Sequence, residues 1–299
     1  MYGSVRSISK SDSGAAATER QDGFFLLSGK DFLRLKEFIY QECGIKITEA
    51  KRTMLEARLQ KRLRLLGFAS FNQYCDYLFS PNGLAEELVN MIDVVTTNKT
   101  DFFREPTHFE YLTRSALPEL LKAGCEKRRI ILWSAGCSSG EEPYTLAIVM
   151  EEFVKDHHEM DFSILATDIY TRVLEKARMA VYDEERIGPI PMELRKKYLL
   201  KSKESKNRVY RVAPELRQRV RFGRLNFMDG DFGFKEQIDV VFCRNVIIYF
   251  DKPTQERLLN RFCKCLSPDG YLFMGHSETL LGMEVPLTQM APTVYRKLT

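Results

Sequence analysis

Residues 96–105 read Thr-Thr-Asn-Lys-Thr-Asp-Phe-Phe-Arg-Glu, a short stretch that sets an amide, several hydroxyls and one guanidinium beside two aromatic rings. Asn98 and Thr100 offer neutral donors and acceptors, and Arg104 offers a planar cationic fork that matches a carboxylate. Phe102 and Phe103 are candidates for keeping water away from a held ligand. A helix end with two core rings and a solvated arginine would use the same residue types, so a second segment has to decide.

That segment is residues 130–144, Ile-Ile-Leu-Trp-Ser-Ala-Gly-Cys-Ser-Ser-Gly-Glu-Glu-Pro-Tyr. It predicts a strand buried on both faces, then a tight loop in which Gly136 and Gly140 let the backbone approach a ligand, then a helix with Pro143 at its first position. This is the nucleotide-binding arrangement of a doubly wound α/β sheet. It lacks the Lys-Ser/Thr ending of a P-loop, and Glu141 and Glu142 would repel a phosphate chain where such ligands need positive potential. The expected ligand is therefore not phosphate-rich, with Gly136 and Glu142 among its candidate contacts.

The next apolar run, residues 162–166, leads into Asp168, which at a strand's carboxyl end can accept from both ribose hydroxyls. Asp168 could instead cap the helix expected over residues 171–180, a role open to Thr171 as well. A third apolar strand ends in Arg244 and Asn245, with Tyr249 close behind. Ligands of open α/β sheets lie beyond the carboxyl ends of the strands, so these ends point to one crevice. A nucleoside with a cationic, phosphate-free tail meets every condition. S-adenosyl-L-methionine, with its ribose, sulfonium and amino-acid terminus, is the candidate.

To hold those residues the chain needs a doubly wound sheet, expected over residues 113–299, with residues 96–112 as a linker that carries cofactor contacts. Before it, residues 28–95 have a helical pattern: Ser28 and Asp31 make a capping pair, Gly44 closes one helix and Gly67 the next. The second helix, residues 49–66, carries Leu55, Leu59, Leu63 and Leu66 on one side and Lys51, Arg58, Lys61 and Arg62 beside them. Residues 51–66 hold six basic residues and one acidic, a balance suited to docking an acidic helix, although a merely solvated face is the plain alternative. Nucleic acid ranks lower, since no aromatic residues interleave the stripe. Residues 208–212 and 219–222 alternate polar and apolar, which predicts half-exposed antiparallel strands in a small β-subdomain at about residues 192–223. The main sheet is expected to resume over residues 220–226 and to end with the pair 271–274 and 294–297.

Taken in order, TNKTDFFRE (97–105), WSAGCSSGEEPY (133–144), ATDI (166–169), LNF (225–227), FCRNVIIYFD (242–251) and LSPDGYLFMGHSE (266–278) resemble the CheR family of chemotaxis receptor methyltransferases. The resemblance covers nearly everything from residue 28 onward. It implies a class I methyltransferase sheet behind an all-α N-terminal domain, S-adenosyl-L-methionine as cofactor with S-adenosyl-L-homocysteine as product, and glutamates on the cytoplasmic helices of methyl-accepting chemotaxis receptors as substrate. By the same resemblance the cofactor contacts fall on Asn98, Thr100, Arg104, Glu142, Asp168, Asn226, Phe227, Arg244 and Asn245. A glutamate is already ionised near pH 7, its ordinary pKa being about 4.3, so no general base is required. The catalytic work expected of Arg104, Arg244 and Tyr249 is positioning, with Phe102, Phe103 and Tyr249 as a dry wall. Family members that tether to a receptor's C-terminal peptide use a glycine-containing turn. None occurs between Gly188 and Gly223, so no tether is expected.

At 299 residues and 44% apolar content, with no long uncharged run, the chain accommodates two domains and no transmembrane helix. Residues 1–27 are expected to be a disordered tail without a signal peptide. Seven cysteines without CxxC spacing point to a reducing, cytoplasmic compartment. Four histidines, none at metal-ligand spacing with a cysteine, lead to the expectation of no metal. A monomer that neither enters membranes nor binds nucleic acid is expected. The rival readings are a methyltransferase for RNA or a small molecule, and a non-catalytic module that binds the cofactor and signals.

Overall fold

The computed structural model describes residues 25–95, 99–122, 129–203 and 208–298. Asn98, most of the N-terminal tail and turn residues 204–207 lie outside them. The chain forms two compact units, one from residues up to 35 with 48–91, the other from 36–47 with 92–299.

In the first unit, Ser28 Oγ accepts from the Asp31 amide at 3.0 Å and donates to the Asp31 carboxylate at 2.7 Å, opening the helix Gly29–Cys43. A 3-10 turn, Glu49–Lys51, precedes the helix Arg52–Leu66, and Gly67 at φ 75° ends it in the left-handed region. Leu55, Leu59 and Leu63 are fully buried, but Leu66, the last residue of the helix, is 37% exposed. Arg62 departs further from expectation. It does not join the basic surface stripe but lies buried, donating from Nε to Glu87 Oε1 at 2.8 Å and from Nη2 to Glu87 Oε2. Tyr74 also donates to that carboxylate. Lys61 is exposed, while Lys51 and Arg58 are half-buried.

Among the described residues the second unit has ten strands: β1 Arg129–Ala135, β2 Asp161–Asp168, β3 Val181–Asp183, β4 Leu199–Lys201, β5 Val209–Val212, β6 Val220–Arg224, β7 Ile238–Cys243, β8 Leu266–Met274, β9 Leu287–Ala291 and β10 Val294–Lys297. The main sheet runs β6-β2-β1-β7-β8-β10-β9, with every pairing parallel except β8 with β10 and β10 with β9, so β10 alone is reversed. The central strands are mostly apolar because both faces are covered. Leu132, Ile164, Phe242 and Phe273 pack into one cluster, while Trp133, Val241, Leu272 and Phe262 pack into the other. Chain order reverses between β1 and β7, which places a crevice beyond their carboxyl ends.

Strands β3, β5 and β4 form a separate antiparallel sheet. It begins earlier than the expected residue 192, because Val181–Asp183 pairs with β5, and it does not include residues 219–222. Residues 220–222 lie in β6, a parallel edge strand of the main sheet, and Arg219 ends the helix Pro214–Arg219. An edge strand covered unevenly on its two faces alternates in polarity much as an antiparallel one does. Pro143 sits two places deeper than expected, since the helix Glu141–Val154 starts after Gly140 at φ 99°.

Candidate active site

The cleft at the strand reversal holds about 910 Å³ of free space, part of it open to solvent, and is lined by Thr100, Arg104, Gly136, Glu142, Asp168, Asn226, Phe227, Arg244, Asn245 and Tyr249. Those are the described residues singled out from sequence as cofactor contacts or catalytic groups. Lys36–Ile47, which sequence pattern assigned to the helical domain, supplies a wall through Cys43 and Ile45. Gly44 at φ 71° turns that segment, Lys46 donates its amide to Tyr249 O at 2.8 Å, and Asn226 Nδ2 donates to Glu42 O at 2.6 Å. Asn226 Oδ1 accepts from Met228 N at 3.0 Å, so both ends of its amide hold the wall together.

The glycine loop is drawn under β2: the amides of Gly136 and Cys137 both donate to Thr167 O, at 2.8 and 2.9 Å. Gly136 stands at φ 87°, and a Cβ there would meet Val246 Cγ2 at 2.6 Å, so only glycine fits. Asp168 accepts from Ser138 N at 2.8 Å and from Tyr170 N at 3.1 Å. Its helix Thr171–Met179 has Tyr170 as N-cap residue, so Asp168 lies before the cap and its carboxylate belongs to the cleft. Burial raises its pKa to about 6, against the lowering effect of its amide donors.

Across the cleft, Glu142 joins two elements. Ser134 Oγ of β1 donates to its Oε1 at 2.6 Å, and Arg244 Nε donates to its Oε2 at 2.7 Å. Arg244 Nη1 also donates to Arg104 O and lies 3.6 Å from Glu105 Oε2. Much of the Arg244 fork thus locks the segment carrying Arg104 against the glycine-loop helix. Arg104 itself is half-buried, with Nη1 donating to Lys99 O at 3.0 Å.

Phe102 and Phe103 do not form the expected dry wall. Phe102 is 1% exposed in the core, edge-on to Tyr182 at 4.9 Å, and Phe103 packs on Phe109. The reason is a kink: Phe103 and Glu105 both adopt left-handed φ, 51° and 55°, which turns both rings inward and leaves Arg104 at the cleft. Tyr249, Tyr170, Phe227 and Phe250 line the cleft instead.

Glu278, which sequence reasoning passed over, builds the far side. Its buried carboxylate accepts four backbone N–H groups, from Asn245, Val246, Ile247 and Gly275, at 2.7 to 3.0 Å. That holds Asn245 at φ 59°. Gly275 admits the close approach, since a Cβ there would lie 2.8 Å from Asn245 N. A buried carboxylate 33 residues from its partner loop leaves no local sequence signal.

The donor set suits S-adenosyl-L-methionine. It has a buried carboxylate for ribose hydroxyls, an arginine fork for a carboxylate, aromatic walls, and no cation at the glycine loop for phosphates. Asn245 Oδ1 and Ser138 Oγ, both buried, have no hydrogen-bond partner among the described residues, and both residues line this cleft. Burial pushes the thiols of Cys137 and Cys243 well up, so neither is a ready nucleophile.

A doubly wound sheet with this glycine loop and strand-end carboxylate defines a class I S-adenosyl-L-methionine-dependent methyltransferase. More particularly, the chain belongs to the CheR methyltransferase family: residues 98–296 match its SAM-binding domain and residues 30–96 its all-alpha domain. A chemotaxis protein methyltransferase of Borreliella burgdorferi is 41% identical over 268 residues, covering 88% of this chain and 93% of that one. Chemotaxis protein methyltransferase 2 of Pseudomonas aeruginosa is 39% identical over 271 residues, covering 91% and 94%. The Escherichia coli chemotaxis protein methyltransferase is 38% identical over 269 residues, covering 90% and 91%. Among the described residues no helix is long and apolar enough to cross a membrane.

Proposed function

We propose that this enzyme methylates glutamate side chains of methyl-accepting chemotaxis receptors, working in the cytoplasm as a monomer. The observation that carries the reading is a cleft furnished for a phosphate-free nucleoside cofactor in a chain whose relatives are named chemotaxis protein methyltransferases. When bound, S-adenosyl-L-methionine supplies an electrophilic methyl group, and a glutamyl carboxylate that receives it becomes a neutral methyl ester.

The protein's own residues bind and orient. Asp168 accepts from the ribose hydroxyls, and Arg104 holds the cofactor's carboxylate by its fork. Arg244, fixed by Glu142, keeps Arg104 in place, and with Tyr249 it guides the incoming glutamate by hydrogen bonds rather than by a full ion pair, which would blunt the nucleophile. Phe227, Phe250 and Tyr249 keep the transfer dry. Lys51, Arg58 and Lys61 dock the acidic receptor helix, without a tethering peptide. Arg62 takes no part, being buried against Glu87.

The test is transfer of labelled methyl from the cofactor to receptor cytoplasmic fragments, followed by mild base. Label released as methanol supports the ester. Label that stays bound to protein, or that enters RNA instead, overturns the reading.

A further inference from the structure

Glu105, His108 and His276 bring three ligating atoms within 4.8 Å of one another beside the cleft, although the last comes from beyond β8. Two of them face each other: His108 Nδ1 and Glu105 Oε2 are both buried, 3.5 Å apart, and neither makes a hydrogen bond among the described residues. The other ends of these side chains are settled. The hydroxyl of Thr293 donates to Pro292 O at 2.7 Å and so accepts from His108 Nε2 at 2.8 Å, which puts the ring proton on Nε2. His276 N donates to Glu105 Oε1 at 3.3 Å. With the ring proton on Nε2, Nδ1 turns a lone pair toward a carboxylate oxygen, and two such acceptors repel unless a proton or a metal cation lies between them.

We propose that Glu105, His108 and His276 form a site for a divalent transition metal, of the two-imidazole, one-carboxylate class that suits Zn²⁺. The 3.5 Å between Glu105 Oε2 and His108 Nδ1 agrees with a shared metal, since ligands about 2.1 Å from a tetrahedral zinc stand about 3.4 Å from each other. Thr293 occupies the outer position that fixes the tautomer of a ligating histidine. Glu105 is held at φ 55°, an uncommon conformation for glutamate, and this aims it at His108 three residues on. Arg244, 3.6 Å from Glu105 Oε2, opposes a cation, but its own charge is met by Glu142 at 2.7 Å. An ion here would staple the loop after β8 to the segment that presents Arg104.

The test is titration of the metal-free full chain with Zn²⁺ against a chromophoric chelator, with Co²⁺ absorption as a second readout. One equivalent should bind, Co²⁺ should give tetrahedral visible bands, and His276→Ala, an exposed position, should weaken binding tenfold or more. The two remaining histidines, His157 and His158, are exposed elsewhere, and their double alanine variant should bind as the parent does. Unchanged affinity in His276→Ala, loss of binding in the His157/His158 variant, or no binding tighter than millimolar would each overturn the proposal.

Discussion

At Asp168 two effects oppose each other, and burial outweighs the two amide donors, leaving the carboxyl at about 6. The ligand-free fold is therefore favoured by Asp168 below its unfolded pKa of about 3.9, and that contribution is lost as pH rises through about 6. Cofactor binding has the opposite sign, since only the carboxylate accepts two ribose hydroxyls. Affinity for S-adenosyl-L-homocysteine should hold above pH 6 and fall as pH drops through about 6. Asp168→Asn should bind more weakly and lose that inflection, and calorimetry across a pH series that finds the same inflection in the variant would remove Asp168 from the ribose. Arg104→Ala should lose tenfold or more in cofactor affinity with the fold intact, because a charge-assisted hydrogen bond contributes about 1.5 to 3 kcal/mol. Unchanged binding by calorimetry would take Arg104 off the cofactor. The cleft positions of Asp168, Arg244 and Asn245 were legible in sequence because each stands where an apolar strand breaks abruptly into polar groups, while Arg104 was legible from the mix of polar and aromatic residues around it. Phe102 and Phe103 were misread because a left-handed kink, not a regular period, decides where their side chains point.

Among the elements, the helix Arg52–Leu66 shows how far periodicity reaches. Leu55, Leu59 and Leu63 follow it into the core, yet Arg62 goes in as well, because Glu87 on a later segment meets it there. No local pattern announces a partner 25 residues away. The consequence is measurable: Arg62→Ala leaves Glu87 buried without its cation and should cost about 3 to 5 kcal/mol in urea denaturation. Lys61→Ala, on the exposed side, should stay within about 0.5 kcal/mol. Equal stabilities would mean that Arg62 is not the structural member its burial indicates. The same limit explains β6, whose alternation was legible but whose direction was not, since direction depends on pairing with β2. It also explains Glu278, whose four amide donors come from two separate loops.

For the whole molecule, the net charge of +4 is too small to draw an acidic partner to every face, so local concentration of charge has to do it. Residues 51–66 carry that concentration, and with Arg62 withdrawn the docking face proposed above is left to Lys51, Arg58 and Lys61. Exposed charges act through water and are screened over about 8 Å at physiological ionic strength. Reversing Arg58 and Lys61 to glutamate should therefore raise KM for receptor fragments strongly at low salt and weakly at high salt. The affinity for S-adenosyl-L-homocysteine should not change, because neither residue lines the cofactor cleft. A local docking contact affects encounter and not the methyl transfer itself, so kcat at saturating receptor should also stay near the parent value. Kinetics that match the parent at every salt concentration would return this face to ordinary solvation. A fall in kcat with KM unchanged would place the two residues in the chemistry instead, and the helical unit would then need a different role.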